Sequence, residues 1–144
     1  MKSEVRIFKQ HQLEYQQAVQ LRYKILRKPL GLQFTAEELK KDEADMHFGL
    51  FTKEEILACL TLTISENKRV KMRQVAVDDS VQQQGLGRQL SLAAEQYARQ
   101  NGFTCMYCNA RKTAVPFYER LGYKIVSGEF EEVGIPHYTM EKAL

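Results

Sequence analysis

The sequence lacks the features that mark several specialised classes of protein. Only three prolines and eight glycines occur, and no repeat or low-complexity tract is found, which argues against a disordered or fibrous chain. The three cysteines, Cys59, Cys105 and Cys108, cannot all pair in disulfides within one chain. The first residues also contain no apolar leader segment. We therefore expect reduced thiols and a cytoplasmic protein.

Two of the cysteines, Cys105 and Cys108, have the C-x-x-C spacing of redox and zinc sites. We reject that interpretation because both residues lie in a predicted strand, where an odd separation places them on opposite faces. No second cysteine pair accompanies them. The sequence therefore predicts no metal site.

Long apolar runs and strong charge are absent as well. The longest apolar-dominated run, Ile56 to Ile64, is much shorter than the roughly 20 residues of a membrane-spanning helix. The net charge is only +3, and no block of basic residues concentrates it. We therefore expect neither a membrane nor a nucleic acid as partner.

The remaining composition is that of one globular domain covering residues 1–144. Apolar residues make up 44% and charged residues 27% of the chain, which is ordinary for a domain with its own core. Alternating and helical apolar patterns interleave. Strands are predicted near residues 4–9, 46–52, 56–64, 70–77, 103–109, 123–131 and 137–142, and helices near 13–27, from 36, 87–99 and 114–121. This order predicts an α/β, or mixed α+β, fold in which helices flank a mixed sheet.

The most informative stretch is a strand, a glycine-bearing turn and a helix start between Gln74 and Arg99. Such a turn leaves backbone N–H groups unpaired at the positive end of a helix dipole, where phosphate groups bind. No acidic residue occurs from Val81 to Ala94, and Arg88 lies in the first turn of the predicted helix. These features favour an anion site over a simple turn.

The strand before this turn changes its apolar phase. Val70 and Met72 occupy even positions, whereas Val75 and Val77 occupy odd ones. A slip of one residue indicates a β-bulge, which would bend the strand away from its neighbour. The alternative is a strand that simply begins at Gln74.

Two motifs in this region resemble those of the GNAT acyltransferase superfamily. Gln82-x-x-Gly85-x-Gly87 is similar to the acyl-CoA pyrophosphate loop, and Ala114 to Tyr123 is similar to the A-x-x-F-Y-E-x-x-G-F/Y segment. Gly134-Ile-Pro-His137 resembles the ElaA-like branch of small GNAT proteins.

The resemblance implies a mostly antiparallel mixed sheet of about six to seven strands with about four helices. It also implies an N-acetyltransferase that moves an acetyl group from acetyl-CoA to a primary amine of a small molecule or peptide. Dimers are common with this fold, so a homodimer is one expected assembly. The implied cofactor-binding residues are Val75, Ala76, Val77, Gln82, Gln83, Gln84, Gly85, Leu86, Gly87, Arg88, Asn109, Arg111, Phe117 and Tyr118.

Tyr118 is the predicted general acid, because a phenol can donate a proton to a leaving thiolate and the resembling motif carries a tyrosine at this position. The alternative is a core aromatic residue. Since two adjacent helical residues cannot both face fully inward, we expect Phe117 to be the more buried of the two.

The general base is predicted less sharply. His137 ranks first, because imidazole exchanges protons near neutral pH. Glu131 ranks next, and the further candidates are Glu132, Asp45 and His47. Deprotonation through water, without a dedicated base, is an open alternative.

Three residues are predicted to bind the acceptor: Arg22, His47 and His137. Arg22 lies on the apolar stripe of the first predicted helix. It is either a paired or snorkelling arginine or a residue at the rim of the substrate pocket.

One position departs from the GNAT pattern. An asparagine often found seven residues before the tyrosine is replaced by Arg111, while Asn109 lies two residues earlier. Which of these two residues meets the pantetheine stays open. A contact of Arg111 with a cofactor phosphate or an acidic substrate is a further option.

Two other functions fit the sequence less well. A non-catalytic acyl-CoA sensor is the main alternative, and Tyr118 favours the enzyme because binding alone needs no general acid. Nucleotide binding is disfavoured, since the Walker lysine and the third dinucleotide glycine are missing.

Overall fold

The computed structural model of the protein describes residues 3–144, and its centre is one eight-stranded sheet. The strand order is β1-β2-β3-β4-β5-β8-β6, with β7 also paired to β8. The strands are β1 (Glu4–Phe8), β2 (Met46–Thr52), β3 (Glu55–Ile64), β4 (Arg69–Val77), β5 (Cys105–Arg111), β6 (Lys124–Ile125), β7 (Phe130–Glu132) and β8 (Ile135–Ala143). All pairs are antiparallel except β4–β5, which is parallel. The predicted mixed, mostly antiparallel sheet is confirmed.

The strand count exceeds the predicted six to seven because the stretch 123–131 divides into β6 and β7. Between them the chain runs through Ser127 and Gly128. Residues 126–129 are not part of any strand.

Four α-helices flank the sheet: α1 (Leu13–Arg22), α2 (Ala36–Lys41), α3 (Leu86–Gln100) and α4 (Val115–Arg120). Thr35 caps α2 in the predicted capping box, with Glu38 as its partner. The first predicted helix has the expected extent, but its last part, Tyr23–Arg27, is a π-helix. Such wide turns are rare and often occur at functional sites. None of the helices described between residues 3 and 144 is both long and apolar enough to cross a bilayer.

The helices divide between two faces of the sheet. On the first, called here the α3 face, α3 and α4 cover the larger apolar cluster, which includes Leu60, Leu90 and Met106. On the second, called the α1 face, α1 covers a smaller cluster with Phe8, Phe51 and others. Because strand side chains alternate, even-numbered residues of β5 point to the α3 face and odd-numbered ones to the α1 face.

A β-bulge in β4 opens the sheet. Cys59 pairs with Ala76 and Thr61 pairs with Arg73, so the single residue of β3 between these pairs lies opposite two residues of β4. Gln74, within this bulge, has a φ of 56°, an uncommon conformation for a residue with a side chain. The parallel pairing of β4 with β5 is confined to Arg69–Lys71, and the strands separate beyond it. The predicted bulge is therefore confirmed.

Candidate active site

The separation of β4 and β5 creates a cleft of about 470 Å³. Its lining comes from both strands, from the end of the π-helix, from α2 and α4, and from the hairpin of β7 and β8. Because residues from both faces of the sheet line the cleft, a ligand bound there can contact both faces.

The turn before α3 offers unpaired backbone donors. Gln83 and Gly85 have positive φ values of 64° and 80°. Among the described residues, no backbone oxygen accepts from the N–H groups of residues 83–88, and the first helical bond runs from the Gln89 N–H to the Gly85 oxygen at 2.9 Å. These exposed N–H groups at a helix N-terminus form a surface suited to an anion.

The side chain of Gln82 fixes this turn to the sheet. Its amide nitrogen donates to the Val77 oxygen at 3.0 Å. The amide nitrogen of Gln82 is therefore already engaged by β4, while the residue itself stays exposed.

Gly87 allows a close approach between α3, α4 and β4. A Cβ at this position would lie 3.3 Å from the Phe117 ring and 3.3 Å from the Val77 side chain. The glycine therefore lets Phe117 cover the first turn of α3. Leu86 beside it points into the core and can offer only its backbone to a ligand, and the same holds for Ala76.

Tyr118 lines the cleft and is 7% exposed. Its ring meets Phe117 and Tyr123 edge to face, at centroid distances of 5.0 and 5.7 Å. Its hydroxyl makes no hydrogen bond to a side chain in the described part of the chain. Burial raises the pKa of Tyr118 well above its ordinary value, with the nearby Cys108 adding to the effect, so the phenol keeps its proton.

The expectation that Phe117 would be the more buried residue of this pair is wrong. Tyr118 belongs to the core cluster, whereas Phe117 only packs against it. The reason is the phase of α4, which begins at Val115 after a short 3₁₀ turn. This phase directs Tyr118 under Tyr123 and leaves Phe117 at the edge, over Gly87.

His137 also lines the cleft, and it is 3% exposed. Its Nδ1 lies 2.9 Å from the Ile135 oxygen, and because a carbonyl can only accept, Nδ1 carries the proton of this bond. The other nitrogen, Nε2, is 3.6 Å from a Glu132 carboxylate oxygen. The ring stacks on Phe130 at 6.0 Å, which fixes its plane.

The prediction that Glu131 is the second candidate for the general base is wrong. Side chains alternate along β7, so Phe130 and Glu132 face His137 while Glu131 faces away and is exposed. Glu132 is the carboxylate that lines the cleft. The phase of such a short strand is set by its pairing with β8, which the sequence did not fix.

Arg22 and His47 are not in the cleft, and their predicted substrate contacts are wrong. Arg22 is 1% exposed and its Nη1 donates to the Asp42 carboxylate at 2.9 Å. His47 is also buried, with one ring nitrogen 3.0 Å from the Thr61 hydroxyl and the other 3.0 Å from the Asp42 oxygen. Burial lowers the pKa of His47. The alternative of a paired arginine was the correct interpretation.

Asp45, another candidate base, is held away from this role by Arg73. The Arg73 guanidinium donates to the Asp45 carboxylate at 3.1 Å and also to Thr63. Burial raises the pKa of Asp45, although the arginine works in the opposite direction. Its carboxylate thus orients a cleft-lining arginine.

The two residues left open at the end of β5 both line the cleft. Asn109 is held from two sides, because it accepts from the Thr139 hydroxyl at 2.9 Å and donates to Glu132 at 3.3 Å. Arg111 reaches across the cleft and donates to the Leu26 oxygen at 2.8 Å. Val75, just past the bulge, lines the opposite wall.

The structure adds four charged cleft residues that the sequence analysis missed: Arg27, Glu38, Lys71 and Arg73. Arg27 and Glu38 form an ion pair at 2.6 Å that joins the π-helix to α2. The alternation of β4 could have indicated Lys71 and Arg73, since both share the α1 face with Arg111. Nothing in the sequence marked the π-helix that presents Arg27.

Within residues 3–144, no group of three or more His, Cys, Asp or Glu side chains is arranged to hold a metal ion. The titratable side chains that line the cleft include Tyr118, His137 and Glu132, together with the surrounding cations.

Comparison with known proteins gives curated relatives of partial length. The Bacillus subtilis protein YjcF, described as an uncharacterized N-acetyltransferase, is 37% identical over 73 residues, or 50% of this chain and 52% of that protein. Other curated relatives match over similar spans, so the chain spans about half the length of the curated relatives that head the comparison.

Solved structures share the whole fold. A Lactobacillus plantarum protein with a provisional assignment as an N-acetyltransferase has a TM-score of 0.91 and 25% identity, covering 100% of this chain and 99% of that one. Escherichia coli ElaA has a TM-score of 0.82 and 19% identity, covering 98% and 99% of the two chains, and shows likeness of fold alone. Two further structures with this fold were determined with coenzyme A.

The family model described as an acetyltransferase (GNAT) domain matches residues 11–144. This match covers both motifs, the bulged β4, the turn before α3 and every residue that lines the cleft. The chain belongs to the GNAT acetyltransferase family.

Proposed function

We propose that this protein is an N-acetyltransferase that transfers an acetyl group from acetyl-CoA to a primary amine of a small molecule or peptide. One observation carries the proposal. Tyr118, whose hydroxyl has no side-chain partner, lines the cleft opened by the β4 bulge, and the adjacent Phe117 packs on Gly87 in the turn that leaves its N–H groups unpaired. A leaving thiolate and a pyrophosphate need these two features.

The residues present fit an acyl-CoA molecule. The N–H groups from Gln83 to Arg88 would hold its pyrophosphate, and the exposed Arg88 side chain is free to join them. The gap between β4 and β5 leaves strand edges to which the pantetheine amides can bond, beside Val75 and Asn109. Structures with the same fold that contain coenzyme A support the use of this cofactor.

When bound, acyl-CoA supplies a thioester that is already activated for attack. A backbone N–H near Val75 would stabilise negative charge on the acyl oxygen. The Nε2 atom of His137 would accept the proton that the amine loses as its nitrogen bonds to the acyl carbon. Tyr118 would donate its proton to the sulfur as the carbon–sulfur bond breaks.

Glu132 has a positioning role in this scheme. Its carboxylate lies 3.6 Å from Nε2 of His137 and accepts from Asn109. It would hold the incoming amino group, in its neutral form, beside His137 and stabilise the imidazolium that forms. Because Nδ1 already donates to Ile135, Nε2 is the ring nitrogen available to take the proton.

The test is the variant Tyr118→Phe. We expect turnover, followed as free thiol release from acetyl-CoA with a panel of amines, to fall by about 10²- to 10⁴-fold. Acetyl-CoA affinity, measured by calorimetry, should stay within a few-fold, since ring packing is kept. Tyr138→Phe is the matched control, because that hydroxyl bonds only the exposed Glu129 at 3.3 Å.

The two measurements separate the alternatives. Equal loss of binding and turnover in Tyr118→Phe would contradict the general-acid role. Tight acetyl-CoA binding without thiol release from any amine would favour a non-catalytic acyl-CoA sensor instead. Absence of acetyl-CoA binding in the unchanged protein would contradict the assignment of the turn before α3.

A further inference from the structure

The wall of the cleft on the α1 face, called here the polar wall, is rich in cations. Arg27, Lys71, Arg73 and Arg111 line it, against two carboxylates, Glu38 and Glu132. Two of the cations are already paired, since Arg27 binds Glu38 at 2.6 Å and Arg73 binds Asp45 at 3.1 Å. Lys71 and Arg111 form no ion pair within the described residues 3–144. The polar wall thus has positive charge available for a ligand.

Arg111 is the better placed of these two cations. Its Nη2 atom is anchored on the Leu26 oxygen at 2.8 Å, so the guanidinium cannot swing freely. The remaining N–H groups make no hydrogen bond to a side chain among the described residues. Burial and the neighbouring Arg27 lower the pKa of Arg111, while the Glu132 carboxylate acts in the opposite direction. A guanidinium fixed in this way presents a fork that fits a carboxylate.

The π-helix explains why the anchor lies where it does. Its end places the Leu26 carbonyl and the Arg27 side chain at the rim of the cleft. Arg27 is then held by Glu38 and by the Phe34 ring, at 4.3 Å from the ring centroid. Together these contacts give Arg111 a rigid support.

Arg111 is also adjacent to the proposed catalytic base. Arg111 and His137 are direct partners in the antiparallel pairing of β5 with β8. Directly opposed residues share a face of the sheet, with Cβ atoms about 5 Å apart. A site for an anion therefore lies beside the site where the amine loses its proton.

We propose that the acceptor is an amine that carries a carboxylate close to its amino group, an amino-acid-like molecule, and that Arg111 determines this specificity. The inference rests on the proposed N-acetyltransferase function. Arg111 binds the carboxylate, while His137 and Glu132 receive the amino group. The Arg111–His137 adjacency limits the two groups of the acceptor to a separation of a few bonds.

The experiment compares matched acceptors. A panel of L-amino acids is assayed by thiol release together with the amide and the decarboxylated amine of each one. The accepted amino acids should have a kcat/KM at least about tenfold above those of their neutral counterparts. One charged hydrogen-bonded contact of about 1.5–3 kcal/mol corresponds to roughly 10- to 100-fold.

Variants assign this preference to one residue. Arg111→Gln should lower kcat/KM for the amino acids by about 10- to 100-fold, mainly through KM, and leave the amides nearly unchanged. Arg111→Lys should restore part of the difference. Lys112→Gln is the matched control, because this neighbouring cation binds the exposed Glu129 at 3.0 Å outside the cleft.

Several results would overturn the inference. Equal use of amino acids and amides by the unchanged protein would do so, and so would an equal loss for both in Arg111→Gln, which would indicate only support of the π-helix. Weakened acetyl-CoA binding with the preference intact would assign Arg111 to the cofactor.

Failure of the proposed function gives a different result, namely no thiol release with any amine. In that case the same pairs are titrated into the CoA-saturated protein and followed by thermal shift. A preference for the amino acids that Arg111→Gln removes would still support the inference, and equal binding of both members of each pair would contradict it.

Discussion

The two faces of the sheet both cover apolar clusters, but their buried ion pairs differ. On the α3 face, the buried Glu95 pairs with Lys142, whose side chain is 20% exposed. On the α1 face, both members of the pair of Arg22 and Asp42 are almost fully buried. In the proposed function, backbone N–H groups form the cofactor end of the cleft and charged side chains form its acceptor end.

Apolar burial and buried ion pairs contribute to the stability of the fold in different ways. Burial of apolar area contributes about 25 cal/mol per Å², and it needs no particular partner. A buried ion pair contributes little net stability, but it becomes costly when one member is removed. The apolar clusters should therefore tolerate exchange among apolar residues, whereas the Arg22–Asp42 pair should not tolerate loss of a single charge.

The largest expected effect is on the α1 face. Asp42→Ala leaves Arg22 buried without its partner and also removes the acceptor for the Tyr15 hydroxyl at 2.6 Å. We expect a loss of about 3–5 kcal/mol in the free energy of unfolding, measured in urea. Asp79→Ala is the control, since its pair with Lys24 is exposed and should contribute little to the free energy of unfolding. If both variants lost a similar amount of unfolding free energy, the claim that the buried pair matters more than the exposed one would be contradicted.

A second, smaller effect tests the backbone end of the cleft. Gly85→Ala places a side chain at a φ of 80°, which should lower the free energy of unfolding by about 1–2 kcal/mol. The same variant should lower the acetyl-CoA affinity measured by calorimetry. Gly31→Ala is the matched control, because Gly31 also has a positive φ, of 70°, and an added Cβ would meet no neighbouring atom at either glycine. It should lose similar stability and keep its affinity. Equal affinity losses would mean that the turn before α3 has no special role.

The smallest effect is the pH dependence of the ion pair at the cleft rim. The hydrogen bond from Arg27 is the main cause that lowers the pKa of Glu38 to about 2, from an ordinary value of 4.5. Because the folded pKa is the lower one, the stabilisation is present above about pH 4.5 and is lost as the pH falls towards 2. Solvent screening keeps it at about 1 kcal/mol or less.

The measurement is thermal unfolding of the unchanged protein and of Glu38→Gln between pH 7 and pH 2. Their difference in melting temperature should be largest near pH 7 and shrink below about pH 4.5. A difference that stays constant across this range would contradict a charged Arg27–Glu38 pair.

The same division explains what the sequence could predict. The turn before α3 and its two glycines are contiguous in the sequence, and the change of apolar phase in β4 is visible there too. The proposed cofactor end of the cleft could therefore be predicted from local sequence patterns. The strands and helices follow from periodicity for the same reason. These features need no knowledge of which distant residues meet.

The acceptor end could not be predicted in this way. Whether Glu131 or Glu132 faces the cleft depends on the pairing of β7 with β8. Whether Arg22 meets solvent or Asp42 depends on how the 3₁₀ turn after α2, which carries Asp42, lies against the end of α1. The π-helix has the same sequence pattern as an α-helix, so the positions of Leu26 and Arg27 at the rim had no local signal.

The most direct test of the central claim is a titration of acetyl-CoA followed by amide NMR of the labelled protein. The bulge and the turn before α3 are claimed to form one cofactor site. We predict that the largest shifts fall on the amides of residues 83–88 and of Gln74 and Val75, with smaller ones near Tyr118. Shifts concentrated elsewhere, for example along α1, with these amides unchanged, would contradict the account.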